Sequence, residues 1–129
     1  MGFENKKLGF TGENIVAQFL EKNGYKIVAK NFSSKFGEID IIAEKYEFLV
    51  FVEVKTRKIC YFPISSVVTP SKQKKIIKTA KYFLMKKNIN IFDKVCRFDV
   101  ATLLYGSGRH EHDHFQIDYI ENAFWEQGR

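Results

Sequence analysis

Apolar residues recur along the chain in two periods. Between Thr11 and Asn23, Ile15, Val16, Phe19 and Leu20 return at helical spacing, with Thr11 placed to cap and Gly24 to stop the helix. From Tyr25 to Asn31 apolar and polar residues alternate, as on a half-buried strand. Phe36 to Ala43 and Phe48 to Thr56 predict the second and third strands. The short polar link Glu44-Lys45-Tyr46-Glu47 predicts a hairpin between them. Lys58 to Val68 is irregular, with Pro63 and Ser65-Ser66. Thr69-Pro70-Ser71 then reads as a helix start, and Ile76, Ile77, Ala80, Phe83 and Leu84 as its apolar face. Val95 to Leu104 predicts a fourth strand, Tyr105 to His114 a polar loop, and Phe115 to Ile120 a last strand. Phe124 and Trp125 follow, placed to seal the core edge or to meet a second subunit. The order α-β-β-β-α-β-β predicts an α/β (α+β) fold in one domain over residues 1–129, a mixed sheet flanked by helices.

Composition narrows the setting. No apolar run approaches the roughly 20 residues of a membrane-spanning helix, and MGFENKKLGFTGEN lacks the apolar stretch of a signal peptide. No membrane partner is expected. Cys60 and Cys96 match no metal-ligand spacing and read as free thiols in a reducing, cytoplasmic setting. The formal net charge of +6 is unevenly placed. Ser71 to Lys87 holds seven lysines and no acid, so the basic character belongs to one helix. Lys72, Lys75 and Lys78 recur on it at three-residue spacing, with Lys74 and Lys81 beside them. Such a stripe neutralises phosphates without reading bases, which predicts salt-sensitive nucleic-acid binding. A solvated helix face is the bland alternative. Gln73 on this helix is a weaker candidate for reaching a site.

The third strand is apolar enough to be buried, yet it carries Glu53 and Lys55. Buried charges need partners, a metal or a chemical role. By strand alternation Leu49, Phe51, Glu53, Lys55 and Arg57 share one face, and Phe48, Val50, Val52, Val54 and Thr56 share the other, the expected core face. Glu38, Asp40 and Ile42 share a face of the second strand. The hairpin register brings Asp40 near Glu53, directly or diagonally. Glu13 lies on the side of Val16, Ala17 and Leu20, near the expected start of the first helix, so it too points toward the sheet. Three to four carboxylates and a lysine are thus expected to converge. Such a set suits magnesium or manganese, with Asp40 and Glu53 as ligands, joined by the Val54 carbonyl. Lys55, one pleat from Glu53, is placed to orient a water or balance charge on a phosphate. Glu53 paired with Lys55 or Arg57 as a structural ion pair is the other reading of an E-x-K triplet.

These residues resemble a known family. Gly9 to Glu13 (GFTGE), GEIDIIA, FVEVKTR, the Thr-Pro-x-Lys-Gln helix start, RFDV and ENAF, in this order, are similar to the YraN family, predicted bacterial endonucleases distantly related to archaeal Holliday junction resolvases. The chain differs from that pattern at Ser33-Ser34-Lys35 and at Pro63. The resemblance implies a restriction-endonuclease-like PD-(D/E)xK fold and metal-dependent cleavage of DNA, including branched or structured DNA. It assigns Glu13 as the helix-one acid, Asp40 and Glu53 as ligands of Mg2+ or Mn2+, and Lys55 as the catalytic lysine. Arg57, Lys72, Lys74, Lys75 and Lys78 are the expected nucleic-acid contacts, and a homodimer is the expected assembly. A binding module of the same fold without turnover is the rival. His110, His112 and His114 read as a loop rather than a zinc site, and Arg97 with Asp99 as a structural ion pair with a site-supporting role open.

Overall fold

The computed structural model of the protein describes residues 2–58, 68–90, 92–105 and 115–126, the backbone alone for 2–11 and 58. Cys60, Pro63, His110, His112 and His114 lie outside the described residues. The elements are α1 (Gly2–Lys22), β1 (Lys26–Ser34), β2 (Gly37–Lys45), β3 (Phe48–Lys58), α2 (Pro70–Lys86), β4 (Val95–Tyr105) and β5 (Phe115–Phe124). The sheet order is β1-β2-β3-β4-β5, antiparallel except for the parallel pair β3–β4. This is the expected α-β-β-β-α-β-β order in a mixed sheet. The parallel pair follows from α2, which carries the chain back across the sheet between β3 and β4.

Three boundaries differ from expectation by three residues or more, the first being β1, which runs past Asn31 to Ser34. The first helix begins at Gly2, not at Thr11. Thr11, Gly9 and Gly12 each weaken a helix by about 1 kcal/mol at most, too little to end it. Glu13 therefore sits in the middle of α1 rather than near its start. The last strand runs to Phe124, because the backbone N–H of Asn122, in a left-handed turn at φ 53°, donates to Asp99 at 2.9 Å and the strand continues past the irregularity.

Both helices stop as their sequences dictate. Gly24 (φ 89°) ends α1: its own N–H donates to the Glu21 carbonyl and that of Tyr25 to the Leu20 carbonyl. Asn88 (φ 57°) does the same for α2, with Ile89 N–H on the Leu84 carbonyl. Thr69 caps the start of α2 by accepting the Lys72 N–H, and Pro70 occupies the first turn.

One helix covers each face of the sheet, so both faces of β3 are core. This corrects the expectation of one core face. On the α1 side, Val16, Ala17 and Leu20 pack on Ile41, Ala43, Val50, Val52, Ala101 and Leu103. On the α2 side, Ile76, Ala80, Phe83 and Leu84 pack on Ile39, Ile42, Leu49, Phe51 and Val100. An aromatic chain crosses that second face. Phe32 meets Phe83 edge-on at 5.0 Å between centroids, Phe83 meets Phe51, Phe51 stacks on Phe98, and Phe98 on Phe124 at 5.2 Å. Phe124 thus seals the core, as expected, whereas Trp125 is 58% exposed and does not.

Gly12 is where α1 touches the sheet most closely. A Cβ there would lie 2.7 Å from Thr56 Oγ1 and 2.9 Å from Leu103 Cδ1. Inside a helix, Gly→Ala ordinarily stabilises by about 1 kcal/mol. Gly12→Ala is expected to reverse that sign and destabilise by about 1–3 kcal/mol through overpacking. Urea unfolding of the two proteins checks it, and a stabilised variant would mean that α1 does not press on β3 in this way.

Candidate functional site

The β2–β3 hairpin is paired from Lys45↔Phe48 up to Ile41↔Val52 and no further. Continued by one step, its register sets Asp40 against Glu53. There the strands part, and Asp40 Oδ2 instead accepts the backbone N–H of Val54 at 2.7 Å. The expected meeting of Asp40 and Glu53 is thus present, at the point where backbone pairing gives way to side chains.

A kink in β1 and β2 makes this geometry. Ile39 packs into the α2-side core and Ile41 into the α1-side core, although two residues apart on one strand. Alternation therefore breaks at Asp40, which corrects the expectation that Glu38, Asp40 and Ile42 share a face. Opposite Asp40, between the pairs Lys30↔Ile41 and Phe32↔Ile39, stands Asn31 with φ 54°. Asparagine tolerates the left-handed region better than other side-chain-bearing residues. That preference was the available signal for Asn31, and strand counting passed over it.

Glu13 reaches this kink from α1. Burial raises its pKa, Glu38 adds to that, and hydrogen bonds with Asn31 and Asp40 act the other way. Glu53 is 4% exposed on the α2 face of β3. It carries two ammonium groups: Lys72 Nζ at 2.7 Å and Lys55 Nζ at 3.4 Å from the same Oε2. A buried carboxylate without such partners costs several kcal/mol. Lys72, expected on the outer lysine stripe, instead points into the site. Its place one turn into α2 sets it over the end of β3. The structure divides the remaining lysines as well. Lys75 lines a cleft of 370 Å³ with Gly37, Glu38, Asp40, Glu53 and Ser71. Lys74 and Lys78 line a separate one with Gln73, which donates to the Val68 carbonyl and does not reach the acids. Arg57 is exposed beyond Lys55.

Burial, first, and the facing Glu53 push Asp40 up to about 7, against the pull of the Val54 N–H. Asp40 thus keeps its proton up to the neutral range. Burial lowers the pKa of Lys55, and neighbouring Lys72 adds to this while Glu53 opposes it. Burial also works against Lys72, but its bond to Glu53 outweighs it and the pKa rises. Lys72 therefore holds its proton more firmly than Lys55 does.

The expected convergence of three or more carboxylates is looser than foreseen. Among the described residues, no three of His, Cys, Asp and Glu are grouped closely enough to hold a metal by themselves. Asp40 and Glu53 meet, and Glu13 reaches Asp40 from the other side.

Asp99 offers a contrast. Fully buried, it accepts Arg97 Nε at 2.9 Å, Arg97 Nη2 at 2.9 Å, the Tyr119 hydroxyl at 2.6 Å and the Asn122 N–H. Arg97 also donates to the Tyr25 hydroxyl at 2.6 Å and lies over the Phe48 ring. Burial and the Asp99 charge raise the Tyr119 pKa well beyond the phenol range. Every oxygen of this acid is satisfied, so Arg97–Asp99 is structural.

The fold and the site together define an α+β protein whose mixed sheet carries an acid-and-lysine cleft where its central strand parts from its neighbour. The model of "Uncharacterised protein family UPF0102" matches residues 12–103, and the chain belongs to this family, the YraN family. A UPF0102 protein of Clostridium botulinum (strain Loch Maree / Type A3) is 42% identical over 126 residues, which is 96% of this chain and 98% of that protein. One of Alkaliphilus metalliredigens (strain QYMF) is 40% identical over 121 residues, 93% of this chain and 99% of the relative. One of Chlorobium phaeobacteroides is 39% identical over 126 residues, 96% of this chain and 98% of the relative.

Two outcomes separate site from scaffold. Asp40, raised from an ordinary 3.8 to about 7, binds its proton more tightly folded than unfolded. Its contribution is therefore present below about pH 4 and lost as pH rises through 7. In chelator, Asp40→Asn, which cannot ionise, is expected to be about 1–2 kcal/mol more stable than wild type at pH 8 and equal to it at pH 4. Equal stability at both pH values in urea unfolding would mean that the two acids do not repel. Asp99→Ala, by contrast, leaves Arg97 without its buried partner and is expected to cost about 3–5 kcal/mol at either pH. A loss under 1 kcal/mol in the same titration would remove Asp99 from the scaffold.

Proposed function

We propose that this protein is a metal-dependent endonuclease that hydrolyses phosphodiester bonds in DNA, with branched or otherwise structured DNA as its substrate. The observation that carries this reading is the joining of Asp40, Glu53 and Lys55 where β2 and β3 part, beside a lysine-rimmed cleft.

The residues present fit a hard divalent cation. Asp40 and Glu53 are two facing carboxylates, and burial with the Glu53 charge raises Asp40 to about 7, an opposition that a dication relieves. The N–H and C=O of one strand residue emerge on the same edge, so the Val54 carbonyl lies on the edge where its N–H holds Asp40. Two carboxylates and a carbonyl suit magnesium or manganese, which keep several waters, and do not suit structural zinc, which wants four protein ligands. Mg2+ or Mn2+ so held would polarise a phosphodiester and acidify a bound water.

The chain's own residues supply the rest. Lys55, on a strand buried on both faces, keeps a fixed position beside Glu53, which suits it to orient a water and to balance charge on a phosphate. Lys72 remains an ammonium, and its half-exposed side chain can turn from Glu53 to the charge growing on the phosphate oxygens. Lys75 on the cleft rim holds a neighbouring phosphate. Glu13 steadies Asp40 from α1. Cutting both strands symmetrically needs two such sites, so a homodimer belongs to this reading, as does a cytoplasmic location with its DNA. No helix among the described residues is long and apolar enough to cross a membrane.

A binding module without turnover is the second reading. The two ion pairs on Glu53 favour it, since they already satisfy that carboxylate. Cleavage of labelled linear, nicked and four-way-junction DNA, and of RNA, with magnesium or manganese decides between them. Asp40→Asn and Lys55→Ala are each expected to lower the rate about a hundredfold or more with the fold intact. Absence of cutting on every substrate, with salt-sensitive binding that survives Asp40→Asn, would leave the binding module standing.

A further inference from the structure

The acid cleft uses only one side of α2. On the other side, a second cleft of 560 Å³ runs between the helix and the residues after β5, lined by Gln73, Lys74, Lys78, Lys81 and Trp125 among others. Trp125 is 58% exposed, although its neighbours fix it on both sides. Phe124 before it is buried and stacked on Phe98. Glu126 after it accepts Lys81 Nζ at 2.6 Å. The indole is thus held in place with its surface unspent.

We infer that this cleft binds an unpaired nucleic-acid strand, one base stacked on Trp125 and the flanking phosphates on Lys74 and Lys78. The inference rests on the endonuclease reading and deepens it, since it names the part of a structured substrate that the protein grips.

Three observations select this occupant. The first is charge: three lysines and one acid, Glu126, line the cleft, and with Lys81 held by Glu126 the charges of Lys74 and Lys78 remain, to which a phosphate backbone is the complementary surface. The second is the ring. In a duplex the base faces are already stacked inside, so an exposed indole finds a flat partner only on a base that has left the helix. The third is continuity. Lys78 lines this cleft and also lies 5.7 Å from the ring of Phe36, a second exposed aromatic at the β1–β2 turn, where Lys35 sits at 5.3 Å. Phe36 adjoins Gly37, which lines the acid cleft. The lysine helix therefore links two aromatic surfaces to the acids. A second copy of the chain fits poorly, because a two-fold interface through this patch would set the lysines of one copy against those of the other.

Trp125 is the single tryptophan of the chain, so its emission reports on this cleft alone. In chelator, wild type is titrated with a short oligothymidylate, with oligouridylate, and with a blunt DNA duplex. Saturable quenching by oligothymidylate and none by the duplex is the expected result, and equal quenching by oligouridylate would extend the site to RNA. Trp125→Ala is expected to weaken oligothymidylate binding about tenfold and leave duplex binding unchanged, with Trp125→Phe between the two. Lys78→Ala is expected to weaken binding and flatten its salt dependence by about one charge. Unchanged emission, with oligothymidylate bound equally well by Trp125→Ala, would overturn the proposal. So would a dimer that Trp125→Ala dissolves, since the cleft would then belong to a second copy. Chelator separates the two ideas: quenching without cleavage on later addition of metal sinks the endonuclease alone, and cleavage without quenching sinks the stacking site alone.

Discussion

Two carboxylates face each other inside this protein, and the rest of the structure has to accommodate their repulsion. Asp40 and Glu53 stand where backbone pairing of β2 and β3 ends, with burial and mutual charge raising Asp40 to about 7. A regular hairpin would also set the two residues opposite each other, with the backbone still paired between them. Here the kink at Asn31 and Asp40 turns one acid inward, and the cores on both faces of β3 keep the other from moving away. The arrangement opposes stability locally, and two hydrophobic layers, the α2-side one crossed by a chain of phenylalanines, offset it. Strain of this kind persists only where surrounding packing over-determines it.

The contrast with Asp99 shows why burial alone does not mark a site. Both acids are buried, and both sit on strands of one sheet. Asp99 meets a guanidinium, a phenol and a backbone N–H, which leaves no lone pair to recruit a ligand. Asp40 meets one backbone N–H and two other carboxyl groups. One environment completes the charge and the other leaves it needing a cation. Lys72 supplies that cation to Glu53 from α2, through a single flexible side chain that is 41% exposed and thus able to yield.

Much of this was legible in the sequence, and the parts that were not have a common cause. Alternation located the β2–β3 hairpin, and its turn length fixed the register that brings Asp40 to Glu53. The same counting assumes an unbroken strand, so it put Ile42 on the face of Asp40 and passed over Asn31, where a left-handed residue resets the faces. Periodicity placed Lys72 in a stripe with Lys75 and Lys78, which is true of an isolated helix. Only the packing of α2 on the sheet, which sets Lys72 beside Glu53, turns it inward, and that is a tertiary fact. The start of α1 was misplaced for the reverse reason, because a local cap signal at Thr11 was weaker than the helix already running through it.

The division of labour on α2 follows from its two neighbours. A helix laid across a sheet buries one face and exposes the rest, and here the exposed part borders the acid cleft on one flank and Trp125 on the other. The absence of any acid between Ser71 and Lys87 then has a purpose on both flanks. Near the acids, a carboxylate on the helix would add to a repulsion that Lys72 and Lys55 only just contain. Beside Trp125, it would cancel the excess of lysine over the single acid Glu126. A helix selected merely for solubility would mix signs along its outer face, because i to i+4 pairs of opposite charge stabilise it. This helix forgoes those pairs along its length and draws its stability from Ile76, Ala80, Phe83 and Leu84 beneath it. A surface kept positive at that cost suits an anionic partner, and it borders both the acid cleft and the indole.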